Sequence, residues 1–218
     1  MNRRYALGLI GAAAISTGAF SLLPRQSGLP GIGAAFAEGG KVDTSGIVEM
    51  TMGAEDAPVT LMEYASFTCP HCANFHNGPL KRVKEEYVDT GKVRFIYRDV
   101  YFDRPGLWAA MVARCDPNRF FGIADLIYAD QRGWIGEGNL SDIEKNLRKI
   151  GLVAGLTKEQ LDACLKDNVN AQALYTWAQE NAEADGITGT PSLFINGEKY
   201  SNMSYEDLKK ILDQELGM

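Results

Sequence analysis

The stretch Val59–His76, VTLMEYASFTCPHCANFH, decides the fold. Val59 to Ala65 is an apolar run of strand-forming character. From Cys69 to about Tyr87 the apolar residues Phe75, Leu80, Val83 and Tyr87 recur at near-helical spacing, and Val93 to Arg98 is strand-like again. Strand, helix and strand make a β-α-β unit, and its two strands are expected to run parallel. Pro79 lacks an amide hydrogen and crowds the preceding turn, so the helix should kink or divide there.

The two thiols of Cys69-Pro70-His71-Cys72 admit several chemistries. Haem attachment needs a histidine directly after the second cysteine, and Ala73 stands there. A tetrahedral zinc site needs four ligands, and the chain has no second pair of this spacing; His76 with Cys115 or Cys164 could complete a set only if folding happened to bring them together. A structural staple across two residues closes a tiny loop and restrains little of the unfolded chain. A redox centre remains, and its position supports it. A cysteine that follows a strand and opens a helix lies where unpaired amides and the helix dipole favour negative charge, so the Cys69 thiolate is stabilised. Pro70 suits the first helical turn, where its missing donor is not needed. His71 adds a hydrogen bond or partial positive charge. Cys72, deeper in the helix, is the expected resolving thiol. Stabilising the reduced form makes the disulfide form oxidising.

Beyond the β-α-β unit the pattern is helical from Gly106 to about Ala184. Trp108, Met111, Val112 and Cys115 form an apolar stripe, and Phe120 to Ala129 is a second apolar helix. Ser141-x-x-Glu144 and Thr157-x-x-Gln160 read as capping boxes, and Ala171 to Ala182 completes the group. Strand character returns at Ser192-Leu193-Phe194-Ile195, followed by the hairpin signal Asn196-Gly197 and by Glu198-Lys199-Tyr200. A last helix begins near Ser204, with Leu208, Ile211, Leu212 and Leu216 on one face. The fold class is therefore α/β, with a helical block set between the β-α-β unit and a final hairpin and helix.

The chain of 218 residues, 45% hydrophobic, can bury a full core. Arg3 and Arg4 precede an apolar run from Ala6 to Leu23, and Ala35-Phe36-Ala37 is a cleavage-like end, so residues 1–37 read as an export signal and 38–47 as a linker. The alternative is an uncleaved membrane anchor, which Gly8, Gly11 and Gly18 disfavour. The arginine pair leaves a twin-arginine address open. The formal net charge is −6, and the signal contributes Arg3, Arg4 and Arg25 but no acid, so the remainder is more acidic still. That excludes a basic nucleic-acid footprint. Export implies an oxidising compartment where disulfides persist. Cys115 and Cys164, both on apolar helix faces, are then expected to form a structural disulfide; the alternative is two free thiols packed as small hydrophobes.

Phe67-Thr68-Cys69-Pro70-His71-Cys72 after an apolar strand, with Gly189-Thr190-Pro191 before Ser192 to Gly197, resembles the DsbA-like branch of the thioredoxin superfamily. The resemblance covers about residues 48 to 217. It implies a thioredoxin-like domain at 48–105 and 185–218, an inserted helical domain at 106–184, and a cis bond before Pro191 facing the redox pair. It also implies that Glu63 is a buried acid serving Cys72; a solvated strand face is the alternative for that residue. His76 is expected on the helix surface. By resemblance, Thr190, Pro191 and apolar surface near Phe67 and Pro70 would hold an extended substrate. Threonine before the proline also resembles the disulfide isomerase branch, whereas the best-known oxidase has valine. The expected activity is a periplasmic dithiol oxidation of unfolded exported proteins by a monomer that needs no metal or cofactor and is reoxidised by a DsbB-like membrane partner. The rivals are isomerase or reductase work on the same fold and, from another class, metal binding by the two soft thiols.

Overall fold

In the computed structural model, which describes residues 41–218, the sheet is built around the opening stretch. The strands are β1 (Met50–Met52), β2 (Val59–Ala65), β3 (Val93–Asp99), β4 (Ser192–Ile195) and β5 (Glu198–Ser201), in the order β1-β3-β2-β4-β5. β2 and β3 are parallel, with Val59 opposite Val93 and Ala65 opposite Asp99. β4 joins the other side of β2 antiparallel, with Leu61 opposite Ile195 and Tyr64 opposite Ser192. The register has a direct consequence. The chain leaving β2 toward Cys69 and the chain entering β4 from Pro191 meet at the same end of the sheet.

β2 is central and its side chains are mostly buried on both faces, which explains its nearly continuous apolar run. β3 alternates, placing Val93, Phe95, Tyr97 and Asp99 inward. The edge strand β1 pairs antiparallel with β3 and was hidden from sequence reading by its three-residue length. Asn196 and Gly197 both take positive φ, 49° and 86°, the geometry a two-residue hairpin loop requires.

The first helical segment divides at Gly78–Pro79 into α1 (Pro70–Asn77) and α2 (Pro79–Val83), which continues as a wide π-type turn over Lys84–Val88. Between β3 and β4 come α3 (Arg104–Ala113), α4 (Phe120–Ala129), α5 (Gln131–Ile135), α6 (Leu140–Val153), α7 (Lys158–Lys166) and α8 (Asn168–Ala184); α9 (Tyr205–Glu215) follows β5. One apolar cluster runs continuously from the sheet into these helices. α1 packs against α4, α3 against α6 and α7, and α2 against α9. The Thr157–Gln160 capping box is present in full. The one expected at Ser141 is not. Asn139 caps α6 instead, accepting from the amides of Ser141 and Asp142, so Ser141 already lies inside the helix and Glu144 pairs with Arg148 at 2.9 Å.

Cys115, just beyond α3, is disulfide-bonded to Cys164 of α7, with Cα atoms 5.7 Å apart. The expected export signal lies outside the described residues. Among the described residues no helix is long and apolar enough to cross a membrane.

Candidate redox site

Cys69 is the N-cap of α1, with extended backbone (φ −81°, ψ 119°), and Pro70 occupies the first turn. Partly buried Cys69 and fully buried Cys72 are both unpaired thiols. The Thr190–Pro191 peptide bond is cis, and the Cys69 thiol donates to the Thr190 carbonyl oxygen across 3.4 Å. Pro70 and His71 face solvent, whereas Pro191 is buried. The sequence thus brings Cys69, Cys72 and the Thr190–Pro191 loop together from segments far apart in the chain.

The two sulfurs are electrostatically opposite. Hydrogen bonding from the Cys72 thiol, then from the Thr190 side chain and the amides of Cys72 and His71, outweighs burial and lowers the Cys69 pKa to about 5. The Thr190 hydroxyl is buried without a partner among the described residues, so it has a donor free for an ionised sulfur. Cys72 is driven the other way. Burial first, then the Cys69 hydrogen bond and the negative charge of Glu63, hold its thiol protonated far beyond the ordinary range. The arrangement therefore presents one accessible thiolate above one buried thiol.

Glu63 lies on β2 with no exposure. His76 is only 2% exposed, and its Nε2 lies 2.8 Å from Glu63 Oε2. The surface position expected for His76 is thus corrected. It follows Cys72 by one helical turn and shares its inward face, and its imidazole stacks on Tyr128 with centroids 4.0 Å apart. Tyr128 and Tyr97 join their hydroxyls at 2.9 Å beneath it. Phe67 also departs from expectation. At 1% exposure, packed against Tyr97 and Tyr128, it supports the site from below and offers a substrate no surface.

Two supports had no sequence signal. Gln131, at the start of α5, donates its amide to the carbonyls of Phe67 (2.8 Å) and Cys69 (2.9 Å), tying the helical block to the redox turn. Thr68 donates to Asp103 (2.9 Å), which also caps α3 by accepting from Gly106. Both are single polar residues without periodicity, and their partners lie 35 or more positions away. Among the described residues no group of three or more His, Cys, Asp or Glu side chains is disposed to hold a metal ion.

Residues 45–214 match the family described as Thioredoxin. The chain is 31% identical over 170 residues to a putative protein-disulfide oxidoreductase of Rickettsia bellii, a match spanning 77% of this chain and 64% of that relative's length. It is 30% identical to a probable disulfide bond formation protein D of Bacillus anthracis, over 77% of this chain and 78% of the relative. Among solved structures it is similar to alpha-DsbA1 of Wolbachia pipientis, with a TM-score of 0.72 and 28% identity, covering 78% of this chain and 91% of that one.

Proposed function

Because the chain belongs to the thioredoxin superfamily, in its DsbA-like branch, we propose that it is a thiol–disulfide oxidoreductase that introduces disulfide bonds into exported proteins. The observation that carries this reading is the asymmetric pair, an accessible Cys69 with a pKa of about 5 set over a buried, protonated Cys72. A thiolate this stable at neutral pH favours the reduced enzyme, and so drives electrons from substrate to enzyme.

In the oxidised enzyme a substrate thiolate attacks Cys69 Sγ, the Cys69–Cys72 bond breaks, and Cys72 leaves as a thiolate that takes up a proton. A second substrate thiolate then attacks the substrate sulfur of the mixed disulfide and expels Cys69 as its stable thiolate. Two electrons pass from the substrate dithiol to the enzyme, and no metal or organic cofactor takes part. The substrate class is an unfolded or extended chain with free thiols, laid against the Thr190–Pro191 loop and the exposed Pro70. The Cys115–Cys164 disulfide supports an oxidising compartment outside the cytoplasm, such as the periplasm, and a DsbB-like membrane protein would restore the redox disulfide. Thr190 favours a second reading, isomerase or reductase work at the same site.

The reduction potential decides between them. Purified protein is equilibrated in glutathione buffers and its alkylated thiols are counted by mass. A value near about −120 mV is expected, and one near about −270 mV would replace the oxidase reading with the reductase one.

A further inference from the structure

We propose that the hydrogen bond between Tyr64 and Asp185 is the clasp that positions the Thr190–Pro191 loop for an extended substrate, so that one residue of the middle strand grips both ends of the segment 185–192. This inference rests on the oxidoreductase reading and deepens it.

A substrate strand laid against Thr190 and Pro191 needs their backbone held at a fixed place beside Cys69, where the Thr190 carbonyl oxygen lies 3.4 Å from Sγ. The composition of the loop does not hold it there. Asp185-Gly186-Ile187-Thr188-Gly189-Thr190-Pro191 contains two glycines, and Gly186 takes a positive φ of 59°. Thr188 and Gly189 are exposed. Two local bonds close its turns, from the Ile187 amide to the Ala182 carbonyl at 2.7 Å and from the Ser192 hydroxyl to the Gly189 carbonyl at 2.8 Å. Neither reaches the strand that carries the chain to Cys69.

Tyr64 does so at both ends. It lies on β2, five residues before Cys69, and has no exposure. In the sheet it stands opposite Ser192, the residue after Pro191. Its side chain reaches the other end of the segment. The hydroxyl donates to Asp185 Oδ2 at 2.5 Å and has the Asn181 carbonyl oxygen 3.2 Å away, where α8 ends. Across β2 the register sets Arg98 of β3 opposite Tyr64, and Arg98 Nη1 donates to the Tyr64 hydroxyl at 2.8 Å and to Asp185 Oδ2 at 3.1 Å. Glu49 fixes the same guanidinium through Nε at 2.7 Å. From β5, Lys199 Nζ donates to the carbonyl oxygens of Asp185 (3.2 Å) and Gly186 (2.6 Å). Strands β2, β3 and β5 thus converge on the two residues from which the loop springs. The Tyr64 ring, packed edge-on against Phe194 of β4 with centroids 5.8 Å apart, has no room to swing away. Tyr64 and Asp185 are positioning residues, since neither touches a reacting sulfur.

The test compares two dithiols that reduce the oxidised enzyme in a single turnover: an unstructured synthetic peptide carrying two cysteines, which lies along the loop, and dithiothreitol, which is too small to use it. The ratio of the peptide rate constant to the dithiothreitol rate constant should fall about 3- to 10-fold in Tyr64→Phe and in Asp185→Ala, the scale of one lost hydrogen bond. Asp185→Asn keeps an acceptor for the hydroxyl and should hold the ratio within about twofold of the wild type. In Asp185→Ala the further change Tyr64→Phe should add little, because both remove the same bond. Should Tyr64→Phe fail to fold, Asp185→Ala carries the test alone, at a side chain 31% exposed. A general loosening of the fold would slow both dithiols alike. An unchanged ratio in Asp185→Ala, or an Asp185→Asn ratio as low as that of Asp185→Ala, would overturn the clasp. A wild-type enzyme inert toward both dithiols would instead refute the oxidoreductase reading.

Discussion

Varying pH in the glutathione equilibrium should resolve the potential of the Cys69/Cys72 pair into two straight limbs that meet near pH 5, the Cys69 pKa. For a two-electron couple a tenfold change in equilibrium constant is 29.6 mV, so the slope counts protons. Below the break both thiols of the reduced enzyme are protonated and the potential falls by about 59 mV per pH unit; above it only Cys72 keeps its proton and the slope halves to about 30 mV. Because burial and the charge of Glu63 hold Cys72 protonated, no second break intervenes up to about pH 8. At pH 7, two units above that pKa, the two limbs have diverged by about 59 mV, so the pair is more oxidising by that amount than one whose Cys69 stays protonated. The folded pKa is depressed from 9.0, so the resulting stabilisation of the reduced form against unfolding is complete above about pH 9 and is lost as pH falls through about 5. Urea midpoints of the reduced and oxidised forms should therefore diverge over that window. Alkylation and mass analysis at each pH read the slopes directly. A single limb of about 59 mV continuing to pH 8 would refute the argument, because Cys69 would then be an ordinary thiol.

Two further outcomes concern the helical block. Replacing Cys115 and Cys164 by Ser opens a cross-link with a sequence separation of 49 and should cost ~4 kcal/mol on the chain-entropy model, read from urea unfolding with the redox pair held reduced. Gln131→Leu keeps volume but leaves the buried Phe67 carbonyl without its donor; a loss of about 1–3 kcal/mol is expected, together with a shifted pH midpoint for Cys69 alkylation, and an unchanged midpoint would show that α5 does not set the redox turn.

The parts of the fold that were legible in the sequence are those written in periodicity. The runs at Val59–Ala65 and Val93–Arg98, the break at Pro79 and the Asn196–Gly197 turn each carry their own local reason, and each is present. Three-residue β1 is too short to show a period, and the Ser141 box failed because Asn139, two residues upstream, is an equally good cap with a better-placed oxygen. Cys69 and Cys72 announced themselves by spacing. Of their supports only Glu63 was expected to be buried, and by resemblance; His76, Gln131 and Thr68–Asp103 were not legible, because their polar contacts join segments apart in the chain and each residue alone looks like surface. Phe67 misled for the opposite reason: an aromatic beside a reactive turn reads as a binding surface, but here three neighbouring rings, Tyr97, Tyr128 and His76, cover the space below the turn.

The strand order β3-β2-β4 also bears on how the molecule is made. β2 can pair with β3 early, across the short α1–α2 crossover, but its other edge stays open until the whole helical block has been synthesised and β4 arrives. During that interval the reactive turn exists without the Thr190–Pro191 loop that lies over it, in a chain whose other two cysteines are still seeking each other. Cys115 and Cys164 both lie within the helical block and can find each other before β4 docks, so the stretch that completes the reactive site follows the cross-linked block in the chain.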